Sequence, residues 1–237
     1  MAIRGILFDK DGTLIDFPAT WMPVLKALAL EFSGGHQPLA DQLLIVAGYD
    51  RERGVLRGGS IWAAGNTMDL IRAWKPGLTP AEEAEWLAFV DDFCAEHAPN
   101  TAVPVIALEP LFSELEAAGL KLGIATNDNT RSARLTAERL GIAHHFVAIL
   151  GYDAVTAAKP AAEPVLAFCG MAALQPAEVA VVGDNLHDLA MARAAGAGLA
   201  IGVLSGTSVV DELKPHADHV IGSIADLPEI LGLRKRK

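Results

Sequence analysis

Short apolar runs recur along this chain, and segments with helical spacing separate them. The runs occupy residues 3–8, 122–125, 146–150, 179–182 and 199–203. Each of the last four is long enough for a buried strand and too short for a helix. The segments between them end at glycine, as helices commonly do. This alternation predicts an α/β fold built on a parallel sheet.

The first and second runs are separated by roughly ninety residues, far more than an ordinary crossover connection contains. Residues 17–97 include helix-like runs at 21–32, 38–47, 67–74 and 80–94, and they show no convincing strand alternation. The Gly- and Arg-rich loop at 51–65 interrupts the helical pattern. We therefore predict an inserted α-helical cap domain at 17–97, and a core formed by residues 1–16 and 98–237.

Net charge and cysteine content exclude several classes of function. With a formal charge of −10, the chain lacks the broad basic surface that nucleic acids or anionic membranes require. The basic segment at 234–237 is interpreted as a solvated tail. Cys94 and Cys169 are far apart and predict neither a disulfide nor a zinc site. No signal-peptide or membrane-spanning pattern is present, so a cytoplasmic protein without a membrane partner is expected.

Two pairs of carboxylates follow apolar runs. Asp9 and Asp11 end the first run and precede a glycine, and Asp184 and Asp188 follow the fourth. Ligands bind at the carboxyl ends of parallel strands, where these side chains are expected to share a crevice. Like charges held together need a cation or a shared proton. Oxygen ligands without a His or Cys cluster favour Mg²⁺ over zinc.

Other polar residues follow the remaining runs. Thr126 and Asn127 come after the second run, where they can donate hydrogen bonds to an anion or cap the next helix. Lys159, next to a proline at a helix entry, is interpreted as a neutraliser of phosphate or carboxylate. The alternative for Lys159 is an ordinary surface lysine.

Taken together and in order, these motifs resemble those of the haloacid dehalogenase superfamily. The four segments are DKDGTL at residues 9–14, TN at 126–127, KP at 159–160 and GDNLHD at 183–188. Segments 203–207, 217–221 and 224–228 are similar to the phosphoglycolate phosphatase-like branch. The resemblance implies a Rossmann-like parallel sheet core with the predicted helical cap inserted after the first motif.

The resemblance also implies an activity and a set of roles. It predicts a Mg²⁺-dependent phosphatase that acts on a small phosphate monoester, such as a phosphoglycolate-like metabolite, through an aspartyl-phosphate on Asp9. Asp11 would move the protons, while Thr126, Asn127 and Lys159 would meet the phosphoryl oxygens. Mg²⁺ would be held by Asp9, the backbone carbonyl of Asp11 and Asp184, with Asp188 as a helper that holds a metal-bound water or orients Lys159.

Substrate selection would fall to the cap. Its loop arginines are candidates to bind a substrate carboxylate or second anion, although solvated loop arginines are the alternative. By alternation Lys10 is expected to face away from Asp9 and Asp11. The four tryptophans are interpreted as cap core. The arginines are Arg51, Arg53 and Arg57, and the tryptophans are Trp21, Trp62, Trp74 and Trp86.

Two other functions stay open at this point. A phosphomutase of the same superfamily would use the same intermediate, and a non-catalytic protein with the same fold would bind a phosphorylated ligand without turnover. A dehalogenase is disfavoured because Asp11 is retained, and departing halide needs no proton. The sequence carries no signal of oligomeric state.

Overall fold

The core of the molecule is a six-stranded parallel sheet with strand order β5-β4-β1-β6-β7-β8. The computed structural model describes residues 2–57 and 59–234; most of the basic segment predicted as a tail, residues 235–237, lies outside them. The sheet confirms the predicted α/β class. Its strands are β1 (Gly5–Phe8), β4 (Lys121–Ala125), β5 (Phe146–Leu150), β6 (Val179–Gly183), β7 (Leu199–Val203) and β8 (His219–Ile221).

Helices cover both faces of the sheet because successive residues of a strand point to opposite sides. Ile6 and Phe8 pack on one face with Phe112, and Leu7 packs on the other with Phe168. All of these side chains are completely shielded from solvent. The helices of the core are α6 (Leu108–Ala117), α7 (Thr130–Arg139), α8 (Glu163–Ala172), α9 (Leu186–Ala195), α10 (Val210–Leu213) and α11 (Leu227–Ile230).

Between β1 and β4 the chain forms a helical insert, residues 17–101, with a hydrophobic cluster of its own. The insert also contains a small antiparallel pair, β2 (Tyr49–Asp50) and β3 (Val55–Leu56), inside the loop that was expected to break the helical pattern. The helices of the insert are α1 (Phe17–Phe32), α2 (Gln37–Ala47), α3 (Ile61–Ala64), α4 (Thr67–Trp74) and α5 (Pro80–Thr101).

Several helix and strand limits differ from those predicted. Helix α1 begins four residues early because the Asp16 side chain accepts a hydrogen bond from the Ala19 amide at 2.9 Å and caps it there. Helix α5 continues seven residues beyond its expected end and contains Pro99. Strand β8 was not predicted, because its three residues are too few to show a pattern.

The two connections between insert and sheet run side by side. The Asp16 amide donates to the Val103 carbonyl at 2.8 Å, and the Val105 amide donates to the Leu14 carbonyl at 3.0 Å. A second contact joins α5 to the core, where the Asn129 side-chain amide donates to the Asp91 carbonyl at 3.3 Å. The insert therefore lies over the carboxyl edge of the sheet.

Across the described part of the chain, no helix is both long and apolar enough to span a bilayer. Cys94 and Cys169 are buried free thiols, as the cysteine spacing predicts.

Candidate active site

A cavity opens where the insert meets the carboxyl ends of β1, β4 and β6. Its floor belongs to the core, and its roof is largely apolar and aromatic. The core supplies Asp9, Asp11, Thr126, Asn127, Asp128, Lys159, Asp184, Asn185, His187 and Asp188. The insert supplies Phe17, Trp21, Ile61, Trp62, Gly65, Asn66, Thr67, Val90 and Cys94.

Three carboxylates meet on the floor of this cavity. One oxygen each from Asp9, Asp184 and Asp188 lies within 4.8 Å of the others, and none of the three residues exceeds 7% exposure. Burial disfavours the charged form, so it raises the pKa of Asp9 well above its usual range and that of Asp184 to about 7. Such a group of acids can ionise together only beside positive charge.

Lys159 supplies part of that charge. Its buried ammonium lies 2.6 Å from Asp9 Oδ1 and 2.6 Å from Asp188 Oδ1. Burial lowers the pKa of Lys159, but Asp188 and Asp9 outweigh that effect and hold it above its usual value. One ammonium cannot balance the charge of all three carboxylates when they are ionised. These hard oxygen ligands therefore fit a divalent metal ion.

The position of Asp184 is fixed by close packing with two glycines. A Cβ on Gly12, which has φ +82°, would lie 2.6 Å from Asp184 Oδ2, and a Cβ on Gly206 would lie 1.9 Å from the same atom. The Thr207 amide donates to Asp184 Oδ2 at 2.8 Å. Sequence reasoning assigned the 203–207 segment to a family branch and missed this contact, which no local pattern signals.

Asp11 is surrounded by hydrogen-bond donors. The Lys10 ammonium lies 2.8 Å from both of its carboxylate oxygens, and the indole N–H of Trp21 donates to Asp11 Oδ1. Thr126 Oγ1 lies 3.4 Å from Asp11 Oδ2. The expectation that Lys10 faces away from Asp11 is therefore wrong. Strand geometry ends at Phe8, and the following turn, in which the Leu14 amide donates to the Lys10 carbonyl, redirects the lysine.

Thr126 and Asn127 line the cavity and do not cap the next helix. Asn129 is the N-cap of α7 and accepts from the Ser132 amide at 2.8 Å. Thr126 Oγ1 instead accepts from the Asp128 amide at 3.1 Å. Of the two interpretations of this pair, capping is the one that the structure does not show.

The candidate arginines lie apart from the cavity. Arg51 pairs with Asp41 at 3.1 Å, and Arg57 Nε donates to the Gly48 carbonyl at 3.4 Å. Arg53 is exposed, and none of the three is among the described residues that line the cavity.

All four tryptophans pack in the hydrophobic cluster of the insert, as predicted, and two of them also line the cavity. Trp74 and Trp86 pack in the insert's hydrophobic cluster as expected. Trp21 and Trp62 also pack there, but both reach the cavity wall, where their rings meet edge to face at 5.5 Å.

A parallel sheet that carries buried acids, Lys10 and Lys159 at its carboxyl edge is typical of an α/β enzyme with an acidic cavity that could hold a cation. Comparison with protein-family models extends this assignment, because the model for haloacid dehalogenase-like hydrolases matches residues 3–196. The chain belongs to the haloacid dehalogenase-like hydrolase family. The resemblance drawn from the four motifs is thereby confirmed.

Curated relatives that carry phosphatase names match most of the chain's length. It is 40% identical over 243 residues to a phosphoglycolate phosphatase of Chromobacterium violaceum, covering 97% of this chain and 96% of that protein. It is 30% identical over 200 residues to an N-acetylmuramic acid 6-phosphate phosphatase of Pseudomonas aeruginosa, covering 83% and 80%. These relatives support assignment to the phosphoric monoester hydrolases.

A solved structure shows the same fold. A haloacid dehalogenase-like hydrolase of Bacteroides fragilis superimposes with a TM-score of 0.73 at 20% identity, covering 95% of this chain and 99% of that one. The agreement confirms the predicted Rossmann-like sheet.

Proposed function

We propose that this protein is a Mg²⁺-dependent phosphatase that hydrolyses a small phosphate monoester through an aspartyl-phosphate on Asp9. The observation that carries the proposal is the buried carboxylate of Asp9 on the cavity floor, with Lys159 at 2.6 Å and two further carboxylates beside it. A nucleophilic carboxylate splits hydrolysis into two displacements.

In the first displacement, a carboxylate oxygen of Asp9 forms a bond to phosphorus while the bond to the ester oxygen breaks. Asp11 donates a proton to the departing alkoxide. In the second, Asp11 takes a proton from a water molecule that attacks phosphorus and releases Asp9 and phosphate. Lys159, Thr126 and Asn127 bind the phosphoryl oxygens, where positioning and neutralisation of charge do most of the work.

Asp9, Asp184 and the backbone carbonyl of Asp11 are the residues proposed to hold Mg²⁺. When bound, the ion supplies positive charge that neutralises the phosphoryl oxygens and aligns them. Asp188 is proposed to orient Lys159, which its Oδ1 contacts at 2.6 Å.

Residues 17–97 are proposed to form the cap domain that selects the leaving group, over a core of residues 1–16 and 98–237. Phosphoglycolate is the first substrate to test, because the relative that is 40% identical is a phosphoglycolate phosphatase. Recognition of a substrate carboxylate by Arg51 or Arg57 stays a prediction, since both side chains lie outside the cavity in this structure.

The direct test is phosphate release by the purified protein from p-nitrophenyl phosphate, phosphoglycolate, N-acetylmuramic acid 6-phosphate and a panel of sugar phosphates. We expect release with Mg²⁺ and at least a tenfold preference for one metabolite. Removing metal with EDTA should stop the reaction, and added Mg²⁺ should restore it. Release that is indifferent to EDTA, or no release from any ester, would contradict the proposal.

Gly12 provides a matched test of how closely Asp184 must be held. Gly12→Ala is expected to lower kcat/KM by about 100-fold, because its Cβ displaces Asp184 and small misplacements of catalytic groups are that costly. The control is Gly35→Ala, which has the same φ of +82° and nothing within 4 Å of the added Cβ. It should lose only about 1–2 kcal/mol of stability to backbone strain. Equal activities of the two variants would refute the effect on Asp184.

A further inference from the structure

Lys10 is a buried charged residue that the proposed reaction does not use. Its side chain is 2% exposed, and its ammonium lies 2.8 Å from the Asp11 oxygens and 3.2 Å from Asp128 Oδ2. Removing an ammonium from water costs several kcal/mol unless close partners compensate. Here the ammonium bridges two carboxylates, and one of them belongs to the group proposed to transfer protons.

Trp21 contacts the same Asp11 carboxylate from the insert. It lies on α1 of the insert, is 5% exposed, and donates its indole N–H to Asp11 Oδ1. The Lys10 ammonium also lies 4.9 Å from the centre of a Trp21 ring, within the range of a cation–π contact. Asp11 is therefore held by a residue of the core and by a residue of the insert at once.

Orientation matters for a carboxyl group that must face a leaving oxygen and then a water molecule. An aspartate side chain rotates about two bonds, so it needs outside contacts to favour one orientation. Lys10, anchored on Asp128, and Trp21, anchored in the insert, supply these contacts. Proton transfer by a well-placed group contributes about 10²–10⁴ in rate. A misplaced Asp11 carboxyl would lose up to that factor.

We propose that Lys10 and Trp21 are positioning residues that fix the Asp11 carboxylate for proton transfer. Neither touches phosphorus or the nucleophile in this assignment; both act through Asp11. The inference rests on the proposed phosphatase activity. It adds two residues to the proposed site: Lys10, which lies between the two aspartates of the first motif, and Trp21, which lies in the insert.

The test separates proton donation from general damage by comparing two aryl esters. Phenyl phosphate has a more basic leaving group than p-nitrophenyl phosphate, so its release depends more on a donated proton. Lys10→Met removes the charge and keeps the aliphatic stem. We expect kcat/KM to fall at least about tenfold more for phenyl phosphate than for p-nitrophenyl phosphate, with Asp11→Asn setting the limiting ratio. Equal losses on both esters would overturn the inference.

Trp21→Phe tests the contact from the insert and keeps most of the packing. It should change the ratio between the two esters in the same direction, chiefly through kcat, whereas a rise in KM alone would contradict a positioning role. Trp74→Phe is its control, since the Trp74 indole N–H donates to the Leu43 carbonyl at 2.8 Å within the insert. That control should leave the ratio unchanged.

The two proposals can fail separately. If Lys10→Met shows no cooperative unfolding transition, Trp21→Phe decides the inference by the same ratio. Wild-type protein that releases phosphate from no ester of the panel and from neither aryl ester would contradict the proposed function, and this inference with it. Wild-type turnover, with a variant ratio that stays within twofold of the wild-type value, would contradict the inference alone.

Discussion

Asp9→Asn is expected to abolish phosphate release and to leave the protein folded. An amide oxygen is a poor nucleophile toward phosphorus, so turnover of p-nitrophenyl phosphate should fall by about 10⁴-fold or more, the scale seen when a catalytic nucleophile is removed. Asparagine nearly matches the shape of aspartate. It removes one carboxylate partner of Lys159, but Lys159 keeps Asp188 at 2.6 Å and the repulsion of Asp9 with Asp184 and Asp188 is relieved, so the melting temperature should change little.

Asp211→Asn is the matched control, because Asp211 is an exposed acid in the first turn of α10, away from the cavity. It should retain wild-type rates. A second measurement uses substrate with a radiolabelled phosphate and counts the label that stays on the protein after acid precipitation. Wild-type protein should retain label, and Asp9→Asn should not. Near-normal turnover by Asp9→Asn would defeat the assignment of the nucleophile.

Lys159→Met is expected to cost both activity and stability. Phosphate release should fall by about 10³-fold, because charge neutralisation at the phosphoryl group is lost. Breaking a buried ion pair from one side typically costs about 3–5 kcal/mol, since the remaining charges are left uncompensated. Here those charges are the carboxylates of Asp9 and Asp188, each 2.6 Å from the ammonium. Thermal unfolding without metal should therefore begin at lower temperature than in wild type.

Added Mg²⁺ should restore part of the lost stability of Lys159→Met, because a cation bound by Asp9 and Asp184 replaces some of the missing charge. Lys121→Met is the control for loss of a lysine. Lys121 is the first residue of β4, at the opposite end of that strand from the cavity, and its ammonium donates to the Ala172 carbonyl. Its removal should leave turnover intact. A metal-free Lys159→Met protein as stable as wild type would argue against the charge balance described here.

The sheet was predictable because buried parallel strands have a distinctive composition. Residues 146–150 and 199–203 form strands with the predicted limits, since both are apolar runs bounded by turns. The left-handed glycine after α9, Gly196 with φ +69°, also follows from its place at the end of a helical pattern. Asp9 and Asp184 lie close together because β1 and β6 are parallel neighbours, so their carboxyl ends meet at the same edge of the sheet.

Contacts set by turns and by distant segments were not predictable in the same way. Lys10 lies just past the end of β1, so strand alternation no longer governs its direction. Trp21 reaches Asp11 only because α1 begins at Phe17 and lies over the sheet edge. Gly206 packs against Asp184, and Thr207 donates a hydrogen bond to it. These residues are more than twenty positions from Asp184, and only the folded chain brings them together.

The insert was the hardest part to resolve from sequence. Its helices were predicted because their apolar spacing is strong, but the short pair β2 and β3 has only two residues per strand. Arginine in a Gly-rich loop indicates anion recognition on chemical grounds alone. Where Arg51 points is decided by its partner Asp41 on α2, a neighbour that no local pattern reveals.

The paired connections at Leu14 and Val105 have a consequence for how much the insert between them can vary. The two ends of the insert are hydrogen-bonded to each other. The distance between those ends at the sheet therefore stays almost the same whatever the insert contains. The entropic cost of closing the loop grows only slowly as the insert becomes longer. The covering helices can therefore change in length or sequence without disturbing the strand register underneath.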